Sequence, residues 1–62
     1  AVRLASALAR LPRDQREAVE LHHLRGLTVA EVGERMGRSR AAAMGLIFRG
    51  LGTLRDLLGG EG

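Results

Sequence analysis

The chain has 62 residues, with ten arginines, no lysine, seven acidic residues and no cysteine, giving a net charge of +3 and a pI of about 11.4. A chain of that length buries only about 60% of its unfolded surface, so one small domain with a thin folding margin is expected and a large catalytic cleft is excluded. Without cysteine there are no disulfide staples or thiolate metal sites, no apolar run nears the ~20 residues that cross a bilayer, and no secretory signal opens the chain, which together suit a soluble cytoplasmic protein.

Leu4, Leu8 and Leu11 recur at spacings of four and three, which predicts a short helix over 2–10 with one apolar face. Pro12 restarts the chain, because a proline at a first helical position lacks a donor that would have had no partner there. A second helix is expected over 12–25, with Asp14 and Glu17 near its start, Arg25 in its last turn in accord with the helix dipole, and Gly26 ending it. The third helix is expected over 29–36, with Val32 and Met36 inward. Gly33 lies inside it, at a cost of about 1 kcal/mol relative to alanine, which implies that another backbone crosses close by. The fourth helix carries Ala43, Ile47, Gly50, Leu54 and Leu58 as a core stripe. Gly59, Gly60 and Gly62 predict a frayed tail over 59–62, so the folded unit is expected over 1–58. The first residue is alanine rather than methionine, which suggests a piece of a longer protein. Four helices joined by short turns, with no strand signal, predict a compact all-α domain with a C-terminal helix-turn-helix.

Thr28 with Glu31 fits a capping box, in which a hydroxyl and a carboxylate satisfy the first free donors of a helix. Gly37 supplies the stop, since glycine adopts a left-handed backbone without steric cost. Ser39 fits the cap of the next helix after a turn formed by Gly37, Arg38 and Ser39. This spacing is the one by which small proteins offer a helix to the major groove of DNA, and that helix begins near Arg40. The positive charge permits a polyanionic partner without demanding one, and the arginine fork suits phosphate and guanine.

Three segments, LPRDQREAV, HLRGLTVAEVGERMGRS and IFRGLGTLRDLL, make the chain resemble region 4 of the sigma-70 family of transcription factors, most closely the extracytoplasmic-function type. The resemblance covers nearly the whole chain and rests on Leu11-Pro12, Gln15-Arg16, Gly26-Leu27-Thr28, Glu31-Val32, Gly37 and Ser39 as a set. It implies recognition of the minus-35 element of double-stranded promoter DNA, docking on the beta flap of RNA polymerase core, no catalysis and no cofactor. Carried over by position, the major-groove contacts fall on Met44, Gly45, Phe48 and Arg49, with Arg40 at the helix start. Val29 and Ala30 would lie by a phosphate, where free backbone donors attract anions. His22 stands where family members often carry an arginine that touches the DNA backbone; the plainer reading of His22 is an exposed helix-surface residue.

The family usually carries a run of lysine and arginine along this helix, whereas here Met44 to Gly52 holds one cation, Arg49. Fewer neutralised phosphates imply weaker binding and a shallower salt slope. Phe48 and Met44 suit thymine methyl groups instead. Met44, Phe48 and Leu51 also form a second apolar stripe, widened by Leu46, which either packs into the core or waits for a partner. That partner would be a second copy, an anti-sigma factor or polymerase, so a helical protein-interaction module is the alternative function. Other helix-turn-helix families share the core spacing, and the Leu11-Pro12 and Gln15-Arg16 motifs favour the sigma type. An enzyme has little support: His22 and His23 point about 100° apart on an ordinary helix, and no phosphate loop or nucleophile arrangement is present.

Overall fold

A computed structural model describes residues 3–59 and is all-α: α1 spans Leu4–Ala9, α2 Arg13–Val19, α3 Val29–Met36 and α4 Arg40–Gly59, and no strand forms among the described residues. With 20 residues rising about 1.5 Å each, α4 is the spine of the molecule, which measures 34 × 17 × 17 Å. The other helices pack along it in two groups. Ala18, Leu21 and Val32 meet Ala43, Leu46 and Ile47 at its N-terminal half, while Ala7, Leu8, Leu11 and Val19 meet Leu54 toward its C-terminal half. Leu51 packs against both groups and joins them.

The expected core stripe of α4 holds at Ala43, Ile47, Gly50 and Leu54 and fails at Leu58, which is exposed one turn beyond the buried Leu54. Leu4 is likewise 48% exposed rather than core, one turn beyond the buried Leu8. Leu46 is buried, so the wide apolar arc on that side of α4 is consumed within the chain. Gly59 closes α4 where the tail is expected to begin; residues 60–62 of that tail, and residues 1–2 of the first helix and folded unit, lie outside the described residues.

Pro12 is the N-cap of α2 rather than its first helical residue. Its extended backbone aims its carbonyl at Arg16 N, 2.9 Å away, so the missing donor again costs nothing. Arg16 also reaches back to the carbonyl of Ala9, 3.4 Å away, linking α2 to the end of α1. The expected regular helix through residue 25 changes at Glu20–Leu24 into a single π-helical turn. Arg25 N bonds Glu20 O at 3.0 Å, and Leu27 N bonds Leu21 O at 3.0 Å. Such wide turns insert one extra residue and carry no propensity signature, which is why periodicity does not reveal them.

The capping box at the start of α3 is complete: Glu31 N donates to Thr28 Oγ1 at 3.1 Å and Thr28 N donates to Glu31 Oε1 at 2.8 Å. Removing it by Thr28→Ala is expected to cost about 1 kcal/mol, lowering the melting temperature by roughly 4–8 °C. Circular dichroism melting checks this, and an unchanged midpoint would mean that tertiary packing alone fixes the start of α3.

Candidate nucleic-acid interface

The connection between α3 and α4 is held at three points. Gly37 adopts the left-handed conformation at φ 68° and ψ 36°, which turns the chain out of α3. Arg38 N donates to Gly33 O at 2.8 Å, closing the turn back onto the helix it leaves. Ser39 Oγ accepts from Ala42 N at 3.1 Å and caps α4. Gly33 makes this closeness feasible: a β-carbon there would lie 2.7 Å from Arg38 O and 3.3 Å from Ser39 C and O. The close backbone approach expected at Gly33 is the turn itself.

With Ala43, Ile47, Gly50 and Leu54 turned into the core, the opposite side of α4 faces outward. At about 100° per residue, Ala41, Gly45, Phe48 and Gly52 fall within an arc of roughly 60°. Phe48 therefore stands among residues with almost no side chain and is 67% exposed. Arg49 is exposed on the shoulder of this face, and its guanidinium lies back over Gly45; a β-carbon on Gly45 would be 3.7 Å from Nη2 and 3.9 Å from Cζ. Arg40 is exposed at the first residue of the helix. Gly45, Phe48 and Arg49 thus share the free side of α4, with Met44 half-buried at its border, whereas Arg40 lies on the other side of the helix and is exposed because it begins the first turn. Leu51, placed beside Met44 and Phe48 by the apolar periodicity, is drawn into the core.

The remaining expected contacts lie on other elements. Ala30 is exposed in the first turn of α3, whereas Val29 is half-buried and packs its side chain against the core. The capping box spends the Glu31 donor and places the Glu31 carboxylate beside the free donors of Val29 and Ala30, which weakens their attraction for a phosphate. His22 is not a plain surface histidine: it is part-buried in the π turn, with Nδ1 2.7 Å from Leu27 O. Because that carbonyl only accepts, Nδ1 carries the proton, and His22 fastens the loop that leads into Thr28. Its ring meets that of His23 edge-on, with centroids 4.6 Å apart. An open groove between α2, its π turn and α3 is lined by Glu17, Glu20, Leu21, Arg25 and Arg35. The two carboxylates and two guanidinia cancel, so this groove offers no net charge to a phosphate.

Sequence reasoning missed one feature of the turn. Arg38 Nη2 donates to Asp14 Oδ2 at 2.6 Å, the single ion pair among the described residues, joining α2 to the turn before α4. No periodicity signals a pair separated by 24 positions.

A capped helix, a glycine turn and a second helix with one free side constitute a helix-turn-helix domain. The chain matches the family model described as Sigma-70, region 4, over residues 1–54, and it belongs to that family. It is 41% identical over 57 residues to the RNA polymerase sigma factor SigZ of Bacillus subtilis (strain 168), an alignment covering 92% of this chain and 32% of that relative. The chain therefore spans about a third of the length of this curated relative. No solved structure matches it.

Proposed function

We propose that the chain is the promoter-reading part of a longer bacterial sigma factor, placing α4 in the major groove of the minus-35 element and so directing transcription initiation without catalysis. The observation that carries this reading is the free side of α4, where Phe48 and Arg49 project from a surface otherwise built of alanine and glycine. A helix so bare can approach base edges closely, with Arg49 suited to guanine and Phe48 to thymine methyl groups. Arg40 and the backbone of Ala30 serve phosphates at the flanks. His22 contributes by holding the loop before α3, and Met44 and Gly45 shape the contact surface. Family membership supports the same reading, with RNA polymerase core, through its beta flap, as the protein partner and the cytoplasm as the place of action.

Fluorescence anisotropy with duplexes carrying candidate minus-35 sequences tests the proposal across a range of salt concentrations. A preference over scrambled duplexes is expected at every salt level; equal affinity throughout would overturn it.

The exposure of Phe48 also favours a second reading, an apolar face for a second copy or an anti-sigma factor. Half-burial of Met44 and the commitment of Leu51 to the core leave that face narrow. Sedimentation decides here: a monomer at all concentrations that ignores anti-sigma domains removes the second reading.

A further inference from the structure

We propose that Arg38 is a phosphate-binding residue of the DNA interface, and that Asp14 occupies it in the free chain as an internal stand-in for the phosphodiester. The inference rests on the DNA-binding reading above and adds to it a site and a limit on affinity. The pair does little to shape the turn, whose backbone is already fixed by the Arg38 N to Gly33 O bond, the contact of Arg38 O with Gly33 and the Ser39 cap. Its side chains are 39% and 50% exposed, so an incoming anion can reach the guanidinium directly. Carboxylate and phosphate present the same two-oxygen edge to a guanidinium, and exchanging one for the other requires only rotation of the Arg38 side chain.

Location supplies the rest of the argument. Arg38 lies two residues before α4, and the N-terminal residues of a recognition helix are the ones that reach base edges, with phosphates flanking them. The positive end of the α4 dipole, Arg40 and Arg38 gather there, on a helix that otherwise offers DNA little charge. Asp14 offsets one of these charges. When released, it remains solvated in the first turn of α2, where the helix dipole favours a carboxylate, so giving up Arg38 does not strand it. Exposed ion pairs are weak, which makes this one exchangeable rather than structural.

A double-mutant cycle on the chain, read by anisotropy with a short random-sequence duplex over several salt concentrations, tests the proposal. Asp14→Asn is expected to raise affinity about 2- to 5-fold, the range an exposed pair represents. Arg38→Ala should reduce the salt slope by about one phosphate contact. In the Arg38→Ala background, Asp14→Asn should then have little effect. Melting curves accompany each variant, and Arg38→Gln replaces Arg38→Ala should the latter fail to fold. An unchanged salt slope for both Arg38 variants overturns the proposal. So does an Asp14→Asn gain that is equal in both backgrounds, which would make Asp14 a simple repulsive charge, or an Asp14→Asn loss, which would make the pair a structural part of the interface. If Arg49→Ala loses affinity while the Asp14 and Arg38 variants change nothing, this inference fails and the DNA-binding reading stands; if the unaltered chain binds no duplex, both fail.

Discussion

Gly33→Ala is expected to lower the stability of the chain, although the same exchange in an open helix raises it. Alanine ordinarily gains about 1 kcal/mol over glycine inside a helix, through backbone entropy and propensity. At Gly33 the new methyl would stand 2.7 Å from Arg38 O and 3.3 Å from Ser39 C and O, all backbone atoms that cannot move without displacing the turn. Overpacking of this kind costs typically 1–3 kcal/mol, and occasionally more. Because the contacts are with backbone, the upper part of that range applies, about 2–3 kcal/mol. Less the helix gain of about 1 kcal/mol, the expected net loss is about 1–2 kcal/mol, a fall in melting temperature of roughly 5–15 °C. Gly52→Ala is the matched control, since a β-carbon there meets nothing within 4 Å and should raise the midpoint. Opposite signs for the two variants in thermal denaturation would establish the contact, whereas a rise in both would show that the turn yields freely. The effect extends to function, because Ser39 is both the atom group displaced and the cap that aims α4.

The third helix and the turn after it were legible residue by residue because their signals are local. A hydroxyl three positions before a carboxylate, a glycine at a left-handed position and a serine before the next helix each satisfy backbone groups within one turn. The outward face of α4 was legible only in part: the family resemblance points to Phe48 and Arg49, while periodicity groups Phe48 with Met44 and Leu51 in a stripe that could equally pack inward, and it is the structure that leaves Phe48 exposed. What escaped depends on tertiary arrangement. The Asp14–Arg38 pair unites residues that no spacing rule connects. The π turn at Glu20–Leu24 changes hydrogen-bond register without changing composition, and it moves His22 from the expected helix surface to a bond with Leu27 O. Leu4 and Leu58 show the limit of pattern alone: each falls in step with buried neighbours, but each lies one turn beyond the last buried residue of its own stripe, Leu8 and Leu54 respectively.

Arg49→Ala is expected to weaken binding to a preferred duplex by about 1–3 kcal/mol, a loss of roughly 5- to 150-fold, and to erase much of the preference over a scrambled sequence. The magnitude follows from what surrounds the side chain. No other cation lies between Arg40 and Arg55 on α4, so no neighbour can assume its contact. Its guanidinium lies back over Gly45, toward the end of the helix that approaches bases most closely, and the absent side chain at Gly45 leaves the fork uncovered. Arg49→Lys should recover little, because a single ammonium lacks the paired donors that match the guanine edge. Anisotropy titrations of both variants against matched and scrambled duplexes separate the roles. A loss confined to the matched duplex assigns Arg49 to a base. A smaller loss, equal on both duplexes and accompanied by a salt slope reduced by about one, would assign it to a phosphate instead, leaving Phe48 as the residue of α4 that distinguishes one promoter from another.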